Sequence, residues 1–572
     1  RREGLSPPRA RDLGPLAVVL AAAFLVACIG GRSGLPDAAG TLVFFGRHTT
    51  ADPLTYTAVA QQLAERGYPI ELPLVSGLPN LGHALFFGEL VGLRFAGRLD
   101  PLDVAFRVRP LLDVATLGLS ALALARVLGA SPPGAALAGV LTLLGGGLSQ
   151  LAYAVLHAFE WPVRQVEAWG LETAFLLPVN PIAPALQTAF AAIVVLAIPS
   201  ANRMRAAWVA GVLAAAVLEL KLFLWPPLVA GLALSALWAR DRELRRPLGV
   251  AAGMAVAAAL PALVEKLVLA ARLGDGVVVG LEPCAGCVPR FLLAWSFGSA
   301  VPDRATLGGD AGSLADPSAW VLGGAAAVAV WALLLGARAL ALPRLLRGAF
   351  GRTEATVPAA YRVLLGAGCA GLALSFLTTT PPHPLNAMQF AWAATFPLWA
   401  VLGVVLGGWL QARRHLRVSL ALALALPGGL FWIIDQGALA PVHGALGFEE
   451  QQLLATLAAE SRPGDLVLEP SLLVAPHSVS PVAWRAGRPV FLSHDGAAHY
   501  LPAAERERRR ALLARAFDLS DLAAAGAAIR ESGARFVHAP AERPLPIRGV
   551  PGLELLRANA GGAVFRVVEP GS

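Results

Sequence analysis

Charge is what this chain has least of. Asp, Glu, Lys and Arg make up 15% of its 572 residues, where a soluble domain carries about 25%. Lysine is almost missing: Lys221 and Lys266 are the only two, and arginine supplies nearly all the positive charge. So little charge excludes an ordinary soluble protein. Cysteine is also scarce, with four in the chain. Cys284-Ala-Gly-Cys287 is a C-x-x-C pair in a long polar loop, and with no second pair a four-cysteine zinc site is excluded. On the outer side of a membrane a local disulfide is the expected state of that pair. Cys28 and Cys369 lie in apolar runs and are expected to be packing residues.

What fills the chain instead is apolar: 56% of residues are hydrophobic and the mean hydropathy is +0.62. Runs of helical length point to a polytopic α-helical membrane protein with roughly eleven transmembrane helices. The runs are Leu13 to Gly30, Val108 to Leu128, Gly134 to Leu156, Pro181 to Pro199, Arg205 to Leu218 and Leu222 to Trp238. They continue with Leu248 to Ala271, Trp320 to Ala341, Pro358 to Thr379, Gln389 to Leu410 and Val418 to Asp435. The net charge of +8 does not point to nucleic acid, because the basic residues sit in short clusters between these runs and set topology. With eleven crossings, the clusters at Arg203/Arg205, Arg240 to Arg246, Arg338 to Arg352 and Arg413 to Arg417 all fall in the cytoplasm with the N-terminus. The tail then falls outside. Leu81 to Gly97 is apolar enough to cross, but crossing would invert every later loop, so it is expected to lie on the outer surface.

From about Pro441 charges of both signs appear and apolar runs shorten. Asp465 to Glu469, Pro489 to Ser493 and Arg535 to His538 read as strands, with helices over Glu505 to Phe517 and Leu519 to Ser532. Leu553 to Leu556 and Ala563 to Val568 read as a closing hairpin around Asn559-Ala-Gly-Gly562. The expected division is a membrane domain over residues 1–440, with a large first outer loop over 32–107, and a small extracytoplasmic α/β domain over 441–572.

The stretch that carries chemistry follows the first span: Arg47-His48-Thr-Thr-Ala-Asp52-Pro-Leu-Thr-Tyr56, ending at Gly67-Tyr-Pro69. Asp52 before Pro53 is a natural helix N-cap, which would leave Glu65 and Arg66 as ordinary solvated helix residues. It is also a carboxylate at the membrane–water boundary, able to act as a general base. Farther along, Glu219-Leu-Lys221 interrupts an apolar stretch too long for one span, so two helices with the charged pair at an outer turn are expected. That pair either neutralises itself or lends Lys221 to a lipid phosphate. Thr378 to Gln389, with His383 and Asn386, opens a late span. In the outer loop Arg164, Glu167 and Glu172 sit between Trp161 and Trp169, which read as interfacial anchors. His494-Asp495-Gly496 and His499 in the tail follow a strand end; two His five apart with an Asp could bind a metal, and a turn is the favoured reading.

The order of one span, Asp52 with Tyr56, Gly67-Tyr-Pro69, Pro73, Gly77-Leu-Pro79, His83 and then Arg109 resembles the first outer loop of the GT-C superfamily of integral-membrane glycosyltransferases, in a protein-mannosyltransferase-like layout. The resemblance implies transfer of a sugar from a polyprenyl-phosphate carrier to a lipid, glycan or protein acceptor on the outer face of a bacterial cytoplasmic membrane. It implies Asp52 as the catalytic base, and His48, Tyr56, His83, Arg109, Glu219, Lys221 and Asn386 as substrate-binding residues. Many members pair two acidic residues in this loop; here Pro53 follows Asp52, so a divalent cation stays an open cofactor. Gln389 stands where an Arg often follows the Asn. A transporter or flippase and a non-catalytic scaffold are the competing classes. Charges at span ends and the lack of a repeat weigh against transport.

Overall fold

The computed structural model describes residues 10–46, 50–68, 70–80, 82–148, 180–198, 202–239, 241–273, 282–290, 292, 317–351, 356–379, 384–434, 439–474, 479–494, 498, 501–542 and 549–568. It divides into two compact units. One comprises Arg1–Gly30, Pro110–Val264 and Val279–Leu439; the other comprises Gly31–Arg109, Glu265–Val278 and Ala440–Ser572.

The first unit is helical. Its apolar runs form helices over Ala10–Gly30, Arg109–Val127, Pro132–Leu144, Ile182–Ala197, Arg203–Leu220, Trp225–Trp238, Arg242–Leu273, Pro317–Leu335, Thr356–Leu377, Trp392–Gln411 and His415–Trp432. Six helical runs in the described chain are long and apolar enough to cross a bilayer, and four shorter ones are also apolar. Val256, Leu260, Val264 and Leu267 are exposed at helical spacing on one of these helices, and Leu416, Leu420 and Leu424 on another. Water would make such stripes costly, whereas lipid makes them neutral, and this is the surface of a polytopic membrane protein. Inside, small residues let helices touch. A Cβ on Gly134 would lie 2.5 Å from the Gly403 carbonyl oxygen, so the helices over 132–144 and 392–411 approach backbone to backbone.

Two sequence expectations change here. Arg338 is not a solvated loop charge: it is fully buried, donates to the Leu334 and Leu335 carbonyls, and stacks 4.9 Å from the Trp399 ring centroid. A 3-10 segment over Gly336–Ala341 and a helix over Leu342–Phe350 continue the run. Cys28 and Cys369 are exposed on their helices rather than packed. Cys284 and Cys287 are joined as a disulfide, beside the short pairing of Glu282–Pro283 with Thr378–Thr379.

The second unit is built from both ends of the chain. Leu42–Phe45 pairs antiparallel with Leu35–Pro36 on one side and with Val442–Leu446 on the other. Residues after the first apolar helix and residues after the last one therefore share one sheet. Residues 73–76 also add to the tail, with Val490 N–H donating to the Pro73 carbonyl at 2.8 Å and Ser76 N–H to the Val490 carbonyl at 3.0 Å. Composition groups the first loop with the membrane segment because it cannot register such pairing. The tail has a mixed four-stranded sheet in the order Val467–Leu468, Phe536–Pro540, Gly562–Val567, Leu553–Asn559. The first pair is parallel and the other two are antiparallel. Pro489 to Ser493, expected as a strand, contributes a single parallel bridge from Val490 to Val467. The helices Ala503–Ala516 and Leu522–Glu531 lie where the pattern puts them. A further helix, Phe448–Glu460, is one the pattern missed.

Candidate active site in the first loop

The helix that carries Asp52 runs over Ala51–Arg66. Its N-cap is Thr50, whose carbonyl accepts from Leu54 N–H at 3.1 Å. The Thr50 hydroxyl makes no cap bond and donates to the Phe45 carbonyl at 3.0 Å. Asp52 thus lies inside the first turn, and the expectation that it caps the helix is overturned. The reason is that Pro53 is tolerated anywhere in a first turn, where backbone N–H groups have no helical partner, so Pro does not fix the cap one residue before it. In the first turn a carboxylate meets the positive end of the helix dipole, which favours its ionised form. Gly67 stops the helix at φ 77°, a conformation an L side chain resists.

Tyr56 sits one turn after Asp52, on the same face. Its ring meets Phe86 edge-on at 5.4 Å between centroids, Phe87 at 6.0 Å and His83 at 6.4 Å. His83 is the N-cap of the helix Ala84–Gly97 and is held at φ 64°, an uncommon state for a residue with a Cβ and one that clusters at functional sites. At 14 residues this helix is about 21 Å long. Beside Phe86 lies Arg109, with its guanidinium carbon 5.5 Å from the ring centroid. Arg109 is buried and ion-paired to Glu89 at 2.6 Å. Asp52, Tyr56, His83 and Arg109, spread over 58 positions, thus form one chain of neighbours. Glu89 and Phe86 complete it. Sequence reasoning missed both, because they sit in a run notable only for being apolar. His48 lies outside the described residues.

The remaining expected site residues belong to the helical unit. The helix Arg203–Leu220 ends at Lys221, whose backbone is extended at φ −155° and ψ 103°. A 3-10 turn over Leu222–Leu224 then leads into Trp225–Trp238. The break expected from Glu219-Leu-Lys221 is present. Lys221 is buried, with its ammonium 6.0 Å from the Phe223 ring centroid. Phe223 packs edge-on against Phe390 at 5.1 Å. Phe390 lies on the 3-10 helix Pro384–Ala391 with Asn386, which accepts from the Gln389 amide at 3.2 Å. Lys221 and Asn386 are therefore linked through two rings within one unit. His383, Arg164, Glu167, Glu172, Trp161, Trp169, Asp495 and His499 lie outside the described residues.

Among the described residues no group of three or more His, Cys, Asp or Glu is gathered that could hold a metal ion.

A buried cluster in the tail also escaped the sequence reading. His538, on a strand, lies 3.6 Å from Glu469 and 3.9 Å from Glu450. Burial pushes the Glu450 carboxyl up to about 7, against the pull of His538. A raised carboxyl binds its proton more tightly in the folded state, so its contribution is fully present below pH 4.5 and is lost as pH rises through 7. Unfolding followed from pH 4.5 to 8 should therefore show a decline of at most about 3 kcal/mol. Glu450→Gln should flatten that decline; equal slopes in parent and variant would contradict it.

No family model matches the chain, and no curated protein matches it. Solved structures similar to it include two glycosyltransferase complexes. One is the archaeal oligosaccharyltransferase AglB from Archaeoglobus fulgidus, in complex with an inhibitory peptide and a dolichol-phosphate. It is 12% identical over 92% of this chain and 69% of that one, with a TM-score of 0.48. The other is ArnT from Cupriavidus metallidurans bound to undecaprenyl phosphate, 11% identical over 97% of this chain and 99% of that one, with a TM-score of 0.41.

Proposed function

We propose that this chain is a GT-C-like glycosyltransferase that moves one sugar from a polyprenyl-phosphate donor to a lipid, glycan or protein acceptor on the outer face of a bacterial cytoplasmic membrane. The observation that carries this reading is the placement of Asp52. It is a half-buried carboxylate in a first helical turn, one turn before Tyr56, whose ring packs on Phe86 as the Arg109 guanidinium does. In the reaction Asp52 takes the proton of the acceptor hydroxyl. The hydroxyl oxygen forms its bond to the anomeric carbon as the bond to the phosphate oxygen breaks. The polyprenyl phosphate leaves with that electron pair, and a cationic side chain stabilises its charge. Arg109 is the cation of the first-loop cluster, and engaging a phosphate would require it to exchange Glu89. Lys221 and Asn386 are proposed as donor-binding residues, since a lysine point charge suits a phosphate. The donor-consumption assay tests the reading: purified protein given a labelled polyprenyl-phosphate sugar and a membrane-lipid extract should release free polyprenyl phosphate. Full recovery of the donor from extracts and glycan or peptide acceptors alike would count against it.

The proposed topology has support from pairing. The ladder between Leu42–Phe45 and Val442–Leu446 cannot cross a bilayer, so both segments lie on one side. An even number of crossings must separate them, which makes the total odd, as eleven is. Accessible-cysteine labelling at Gly447 and Arg352 should report opposite sides, with Gly447 outside. Finding both on one side would discard the eleven-span topology.

A further inference from the structure

We infer that Arg488, in the C-terminal residues, is a positioning residue for Asp52, acting through the helix that carries it. This rests on the reading of Asp52 as the base. Arg488 is 6% exposed and its donors are matched to named acceptors. Nε donates to the Ser461 hydroxyl at 2.8 Å, and Nη2 to the carbonyls of Ala458 and Ser461, each at 3.0 Å. Nη1 donates to Glu65 Oε2 at 2.7 Å and to the Gly487 carbonyl at 3.3 Å. Glu65 is on the Asp52 helix, in its last turn. The other acceptors belong to the end of the helix Phe448–Glu460 and the residue before Arg488.

The surroundings are shaped to the same contact. Gly487 stands at φ +68°, and a Cβ there would lie 3.2 Å from Glu65 Oε1 and 3.3 Å from Gln61 Oε1. A Cβ there would crowd the ends of both side chains, the one that Arg488 holds included. Nearby, Trp484 packs edge-on against Phe44 at 5.4 Å, and Arg485 pairs with Asp100 at 3.4 Å. The tail thus grips the helix at the end opposite the base.

Geometry turns that grip into a lever. Asp52 and Glu65 are about 20 Å apart along the helix axis at 1.5 Å per residue. A tilt of about 3° at the anchored end moves the other end by about 1 Å, and a misplacement of that size costs on the order of 10²-fold in rate. A buried guanidinium has a second consequence. Lysine cannot reproduce its fork, since one ammonium cannot span Glu65 and two carbonyls on another helix.

The test uses the full-length protein, comparing Arg488→Met, Arg488→Lys and Glu65→Gln with Arg515→Met. The last removes an exposed ion pair to Glu531 in the same residues of the tail. Kinetics are normalised to folded protein. Arg488→Met is expected to lower kcat by roughly 30- to 100-fold with the donor KM within about threefold. The acidic limb of the pH profile should not move, because Asp52 ionises as before. Arg488→Lys should recover part of the loss, and Arg515→Met should behave as the parent. Amide exchange over residues 54–66 should accelerate in Arg488→Met and, less so, in Glu65→Gln. A variant that fails to fold leaves the decision to Arg488→Lys and Glu65→Gln, which keep a hydrogen-bonding partner in place. Unchanged exchange over that helix, or parent kcat per folded molecule, would overturn the proposal. If the parent consumes no donor, the transferase reading fails, and the exchange comparison still decides whether Arg488 anchors the helix.

Discussion

Asp52→Asn is expected to lower turnover by roughly 10²- to 10⁴-fold, the usual worth of a general base, in a protein that stays folded. Asn keeps the size and one carbonyl oxygen of Asp but cannot accept the acceptor's proton at neutral pH. The structure makes this substitution cleaner than the sequence promised. The cap is Thr50, so the N-cap residue itself is unchanged. The substitution removes the attraction of a carboxylate to the helix start, about 0.3–1 kcal/mol. The packing of Tyr56 on Phe86 is untouched. Single-turnover transfer with purified protein, alongside circular dichroism and thermal unfolding, reads both quantities. Transfer at the parent rate would mean that Asp52 is not the base.

Lys221→Met is expected to weaken binding of polyprenyl phosphate by roughly 10- to 100-fold, the worth of one charged hydrogen bond. Met keeps the apolar stem beside Phe223 and removes only the ammonium. Lys221→Arg should hold part of the affinity, because a guanidinium keeps the charge but not the shape. Equilibrium binding of a labelled polyprenyl phosphate decides. If both variants bind as the parent does, Lys221 serves only to balance Glu219 at the helix break.

The helical unit was largely legible from sequence because its signal is length and apolarity. The break at Lys221 was legible for the same reason: a run from Ala206 to Leu237 exceeds one crossing. The hairpin at Asn559 to Gly562 was legible from turn chemistry. What stayed hidden depends on contacts between distant residues. Nothing near Glu65 marks it as the partner of Arg488, 423 positions on, and it read as solvated. Nothing in the apolar run around Glu89 marks it as the partner of Arg109, 20 positions on. His538 sat in a strand whose neighbours, Val537 and Ala539, are buried too, so alternation gave no warning that a polar cluster lay beneath. Asp52 was singled out for its chemistry but misplaced by two positions as a cap, since Asp-Pro is compatible with several places in a first turn.

Sugar transfer can be read in a sealed proteoliposome. Parent protein, reconstituted with a polyprenyl-phosphate sugar labelled in both sugar and lipid, is given acceptor on the side where Gly447 is accessible. The two labels should part: sugar appears on acceptor in step with free polyprenyl phosphate, and Asp52→Asn abolishes nearly all of it. Movement of the intact double-labelled donor from one leaflet to the other, with no separation of the labels, would contradict the account and make the protein a carrier of lipid-linked sugar.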